Sequence, residues 1–291
     1  MSSSITTFDV PDVVVRARAE VGESPVWDHR SGRLCWVDIT NGHLFQDDLS
    51  SGDQVRWSLG TLLGAVAPRA DAEGFVVAVA DGLGVCVDGV LSVEDPVLPE
   101  PQRRMNDAKC DSSGRLWAGS THLDFTPGVG ALHRWDGSGP STVMATGFAL
   151  PNGLGWDAED TVMYLVDSMN HQLLRAPYDR DAGTIGTFTE LCEVTAGLPD
   201  GLAVDVEGCI WVAVWGGHEV HRYDPGGRLV GRVPMPVEKP SSCAFGDDGT
   251  LYVTSASADI PEAQLLDQPL AGSVFALPSG TQGVPVGKFA G

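Results

Sequence analysis

One repeat constrains this chain more than any other feature of its sequence. A short apolar strand, a tight turn and a second apolar strand recur six times. The units are VWDHRSGRLCWVD (26–38), APRADAEGFVVAVAD (67–81), AKCDSSGRLWAGS (108–120), LGWDAEDTVMYLVD (154–167), LAVDVEGCIWVAVW (202–215) and CAFGDDGTLYVTS (243–255). Their turn residues, Gly32, Gly74, Gly114, Asp160, Gly208 and Gly249, follow one another every 40 to 48 residues. A third stretch ending in an Asp/Gly turn continues most units, as in EVHRYDPGG (219–227), and a fourth leads to the next, as in LVGRVPMP (229–236). Alternating apolar runs bounded by such turns are hairpin strands. Four short strands at this period describe a propeller blade. Six blades of about 45 residues need roughly 270, and the chain has 291.

The expected fold is therefore all-β: a six-bladed β-propeller with four-stranded antiparallel blades, one domain over 1–291, with 1–12 a loose N-terminal extension. The run Val13 to Arg18 precedes the first unit. It is expected to supply the outer strand of the last blade, pairing near Val284 to Phe289 and closing the ring, because closure removes exposed sheet edges.

Composition narrows the function. Lys and Arg number 18 against 39 Asp and Glu, a net charge of −21. Such a surface excludes nucleic acid as the expected partner, since phosphate binding rests on Lys and Arg, and it disfavours an anionic membrane surface. The apolar runs reach about six residues, as in Phe75 to Ala80, whereas a spanning helix needs about 20. The opening MSSSITTFDV has neither a basic nor an apolar region, so no signal peptide is expected. Six cysteines without C-x-x-C spacing read as free thiols in a reducing, cytoplasmic setting.

The repeat also aligns polar residues. Eight positions before the turn residue lie Asn106, Asn152, Asp200 and Ser241; nine before Gly32 lies Glu23; the second unit is apolar there, Leu63 to Val66. Equivalent blades aim these residues at a common axis. Two carboxylates packed together repel, and one must take up a proton unless a cation lies between them. Carboxylate and amide oxygens suit a hard divalent ion such as Ca²⁺, Mg²⁺ or Mn²⁺. No His or Cys falls in register, so a nitrogen- or sulfur-ligated Zn²⁺ site is not indicated, although Zn²⁺ or Fe²⁺ on oxygen ligands stays open. The second strands end at the same rim, at Asp38, Asp81, Ser120, Asp167, Trp215 and Ser255, as a second layer or a pocket wall. Arg104 lies two residues before Asn106, on the same face of an extended chain. No G-x-S-x-G elbow argues for a serine hydrolase.

The segments GESPVW (22–27), RMNDAKCDSSGRLWAGS (104–120), PNGLGWD (151–157), PDGLAVDVEG (199–208) and PLAGSVFAL (269–277) together resemble the regucalcin/gluconolactonase family of six-bladed propellers. The resemblance implies metal ligation by Glu23, Asn152 and Asp200, with Asp200 also the general base, and substrate contact by Arg104 and Asn106. The family's acidic pair on the loop after the Trp-Ala-Gly strand is replaced here by His122-Leu123-Asp124, which leaves Asp124 as the expected acidic contact. The activity implied is opening of a sugar-derived lactone with one divalent ion as cofactor. Two other readings stand beside it, since fold alone does not settle function: a metal-dependent phosphotriesterase or general esterase, and a non-catalytic calcium-binding propeller.

Overall fold

The computed structural model describes residues 5–98 and 102–291. Six sheets, antiparallel within each blade apart from one added edge strand described below, surround a central axis, and each begins with an inner strand: Gly22–Asp28, Leu63–Pro68, Arg103–Cys110, Pro151–Trp156, Leu198–Val204 and Pro240–Phe245. We number these blades one to six. The second strand of each runs back along the first, for example Arg33–Asp38 in blade one and Ile210–Trp215 in blade five. The third and fourth strands lie progressively outward. Blade four ends in two short outer strands, Thr184–Ile185 and Thr189–Glu193, which both pair with Gln172–Asp179.

The inner hairpins follow from their turn residues. All six adopt positive φ, from +55° at Asp160 to +83° at Gly74. Glycine takes that conformation without a Cβ clash, and Asp tolerates it better than most other residues. The preceding aspartate does more than cap the turn. Asp111 accepts the backbone N–H groups of Ser113 and Arg115 through Oδ1 and the indole N–H of Trp117 at 2.9 Å through Oδ2. Asp205 does the same for Glu207, Cys209 and Trp211. The turn motif thereby fixes a large buried ring on the following strand.

Both faces of every blade are covered by its neighbours. The buried apolar side chains form six clusters, one at each blade junction. This accounts for strands such as Phe75–Val79, buried at every position, whose sequence is a continuous apolar run rather than an alternating one.

Ring closure differs in one detail from the sequence expectation. Asp12–Val15 is the outer strand of blade six, but it pairs with Val274–Pro278. Residues 283–290 instead cross the face that carries the hairpin turns. Val284 donates to Val204 O, Phe289 to Pro68 O and Ala290 to Gly114 O. Phe289 is buried and stacks on Trp135 at 5.0 Å between ring centroids. Pro285 lacks a ladder donor, and a Cβ on Gly287 would lie 1.7 Å from Asp111 O, so this segment fits a crossing and not a sheet edge. Within the stretch expected to be a loose extension, Thr6–Thr7 pairs in parallel with Leu229–Pro234 of blade five. Residues 1–4 lie outside the described residues.

Candidate active site

Every inner strand carries a register irregularity near its start. The pairing shifts between Glu23 and Val26, Leu63 and Ala65, Met105 and Ala108, Pro151 and Leu154, Pro199 and Leu202, and Pro240 and Ser242. A bulge inserts one unpaired residue, bends the strand and re-aims the side chains around it. Asn106, Asn152 and Asp200 each occupy the first unpaired position, and Glu23 immediately precedes its bulge. These four, from blades three, four, five and one, line a single cleft of about 290 Å³ at the end of the ring opposite the hairpin turns.

Glycines let the bulges approach one another. A Cβ on Gly153 of blade four would lie 2.4 Å from Leu202 N and 2.6 Å from Asp200 O of blade five. Only a residue without a side chain permits that contact, which sets Asn152 beside Asp200. Asn152 Nδ2 donates to Asp200 Oδ1 and also to Ser168 Oγ, the latter at 3.1 Å. Asn106 Nδ2 donates to Pro151 O at 3.0 Å and its Oδ1 accepts from Arg104 Nη1 at 2.5 Å. Arg104 thus shares the cleft with Asn106, as the extended backbone required.

Electrostatics single out this cluster. Glu23 and Asp200 are 4% and 7% exposed. Burial, and then the charges of Asp200 and Asp107, push the Glu23 carboxyl well above its ordinary range. Burial and then Asp107 do the same to Asp200, against the opposing pull of Arg104 and Asn152. Burial lowers the Arg104 guanidinium to about 10, with Glu23 and Asp200 working the other way. Among the described residues no group of three or more His, Cys, Asp and Glu is arranged to hold a metal. The donor set here is two carboxylates with amide oxygens, and its chemistry fits a hard dication: acids that resist ionisation together are relieved by positive charge between them.

The remaining aligned positions behave differently. Ser241 Oγ bonds Gly22 O and, at 3.0 Å, Thr254 Oγ1, so it closes the joint between blades six and one and does not line the cleft. Asp38 accepts Glu20 N and Val21 N, and Asp167 accepts Ala149 N and Leu150 N. They clamp the segments that bring Val21 and Leu150 to the cleft wall, while Trp215 lines it directly. Asp124 does not line the cleft. Its side chain is 68% exposed, and its carboxylate accepts from Thr126 N at 3.0 Å and contacts His122 Nδ1 at 2.5 Å. The acid placed at the cleft is Asp259, on the connection between the second and third strands of blade six.

Two buried groups below the cleft escaped the sequence reading. Asp107 follows Asn106 and faces the other way, into a cavity of about 180 Å³ shared with Lys109 and Ser242. Burial raises its carboxyl to about 6 despite Lys109. Lys109 Nζ donates to Leu202 O at 2.7 Å. The available signal was the N-D-A-K run itself: an Asp and a Lys two residues apart in a strand point to the same side, which sets their opposite charges together wherever that strand lies inside the ring.

Residues 21–257 match the model of the SMP-30/gluconolactonase/LRE-like region. The 6-deoxy-6-sulfogluconolactonase of Pseudomonas putida is 35% identical over 96% of this chain and 98% of its own length. The pentonolactonase of Haloferax volcanii is 34% identical over 94% and 95%. A crystal structure of regucalcin from Agrobacterium tumefaciens, described as a calcium-binding protein, superposes with a TM-score of 0.90 at 29% identity, covering 99% of this chain and 98% of that one. The chain belongs to the SMP-30/gluconolactonase/LRE-like family.

Proposed function

We propose that this protein is a lactonase that opens a sugar-derived lactone to its aldonic acid, with one divalent ion held by Glu23, Asn152 and Asp200. The observation that carries the reading is the convergence of those three side chains with Asn106 and Arg104 in one cleft, supported by relatives named as sugar lactonases. The ion is calcium, manganese, magnesium, zinc or iron; the oxygen donors favour the harder ones. When bound, it supplies Lewis-acid polarisation of the lactone carbonyl.

The chain's own groups do the rest. Asp200, whose carboxylate shares the cleft with the other proposed ligands, takes the proton of the attacking water. Asn152 holds Asp200 in place through its amide N–H. Arg104 and Asn106 orient ring hydroxyls, which turns binding into alignment. Leu150, Met169 and Trp215 wall the cleft with apolar surface that limits stray water. We read the six unbridged cysteines, five of them buried, as those of a chain that works in the reducing cytoplasm.

The test is hydrolysis of an aldonolactone panel by wild-type protein and by Asp200→Asn, after metal stripping and reloading with each ion. Wild-type turnover that depends on the ion, and a loss of about 10³-fold or more in kcat for the folded variant, are expected. Equal turnover by the two proteins, or turnover confined to phosphotriesters, contradicts the proposal.

A further inference from the structure

We infer that Asp259 sets the charge preference of the cleft, admitting lactones whose exocyclic end is a neutral hydroxyl group and disfavouring those that end in an anion. The inference rests on the lactonase reading above and extends it to a residue that the repeat symmetry does not pick out.

Asp259 lines the cleft together with the proposed ligands. The protonatable carboxylates and Arg104 sit among buried groups at the inner strands, whereas Asp259 is exposed. Its carboxylate has no hydrogen-bond or ion-pair partner among the described residues. Asp124, by contrast, is engaged within its own loop by Thr126 and His122. The unpaired acid is also held in position. Its backbone is left-handed, with φ +55°. On one side, Ala258 N donates to Glu20 O at 2.9 Å and Ala258 O accepts from Lys239 Nζ at 2.7 Å. On the other, Ile260 is buried and its N–H bonds Ser257 O. A braced backbone that carries an unpaired acid in the cleft lining limits where that carboxylate can go.

Geometry assigns what this acceptor meets. A lactone whose carbonyl lies at Glu23, Asn152 and Asp200, and whose ring hydroxyls reach Arg104 and Asn106, extends its far end away from the inner strands. Phe125, Met169 and Trp215 add apolar wall to the cleft, and of its remaining polar side chains Ser168 is engaged by Asn152, which leaves Asp259. A terminal hydroxyl donates to a carboxylate; a terminal carboxylate or sulfonate is repelled by it. The nearby cations keep their charge but form no ion pair with Asp259 among the described residues. Arg104 Nη1 is engaged by Met105 O and Asn106 Oδ1. Lys239 bonds Ala258 O and lies 5.1 Å from the Trp215 ring, behind the wall.

The experiment compares glucono-1,4-lactone with glucaro-1,4-lactone, which carries a carboxylate in place of the terminal hydroxymethyl group. Wild type, Asp259→Asn and Glu262→Gln are assayed. Asn keeps the shape and tolerates left-handed backbone, and Glu262 removes the same charge from the same connection without lining the cleft. Expected is a shift of about three- to tenfold in the ratio of kcat/KM values toward glucarolactone for Asp259→Asn. It should fall mainly on KM, since the contact lies away from the reacting carbonyl, and should shrink in high salt. Glu262→Gln should leave the ratio within about twofold of wild type. An unchanged ratio in Asp259→Asn, or an equal shift in Glu262→Gln, overturns the inference while the lactonase reading stands. A wild-type protein that opens neither lactone, nor any other, refutes that reading instead.

Discussion

Three carboxylates, Glu23, Asp107 and Asp200, are buried around the axis with two buried or half-buried cations, Arg104 and Lys109. Each acid is raised, Asp107 to about 6. A group whose folded value lies above its unfolded one stabilises the fold fully below the unfolded value, near pH 4. That contribution is lost as pH rises through the folded value. In ion-free protein these acids therefore work against the fold at neutral pH. A divalent ion needs them ionised, so protons compete with it and its benefit grows with pH. Melting curves of chelator-treated protein, with and without excess Ca²⁺, should show a gap that widens by several degrees between pH 5 and 7.5. A gap that is constant or narrows over that range contradicts a cation among these oxygens.

The functional unit at the next scale is the bulged inner strand. Turn spacing placed Asn106, Asn152, Asp200 and Glu23 at equivalent points, and the structure brings them to one cleft. The same count put Ser241 on the list, and there the side chain closes a blade joint. Counting residues gives position along a strand; which way a bulge turns the side chain depends on the neighbouring blade. Gly153 makes that dependence testable. Its Cβ would meet backbone atoms of Leu202 and Asp200, which cannot rotate aside. Gly153→Ala should cost about 2 kcal/mol or more in stability and displace Asn152 from Asp200. Gly32→Ala, in an open turn with φ +65° and nothing within 4 Å, should cost only about 1 kcal/mol from backbone strain. Chemical denaturation of the two variants gives the comparison; equal losses would mean that the close approach of the bulges carries no special constraint.

Across the whole molecule, charge and closure matter. The net charge of −21 creates a field that repels the anionic product of lactone opening. Salt screens it, so the inhibition constant for the aldonate should fall as ionic strength rises from about 0.01 to 0.15 M, where the Debye length shrinks from about 30 to 8 Å. Initial rates with added product at several salt concentrations read this directly. Tight product binding that does not change with salt counts against it. The number of blades and their hairpins were determined by the sequence alone, because turn chemistry and apolar runs are local properties repeated six times. The destination of residues 283–290, the inward path of Asp107 and the choice of Asp259 over Asp124 as the acid at the cleft were decided by the tertiary structure. Each depends on which backbone from a distant part of the chain lies alongside, and no local pattern of residues encodes that contact.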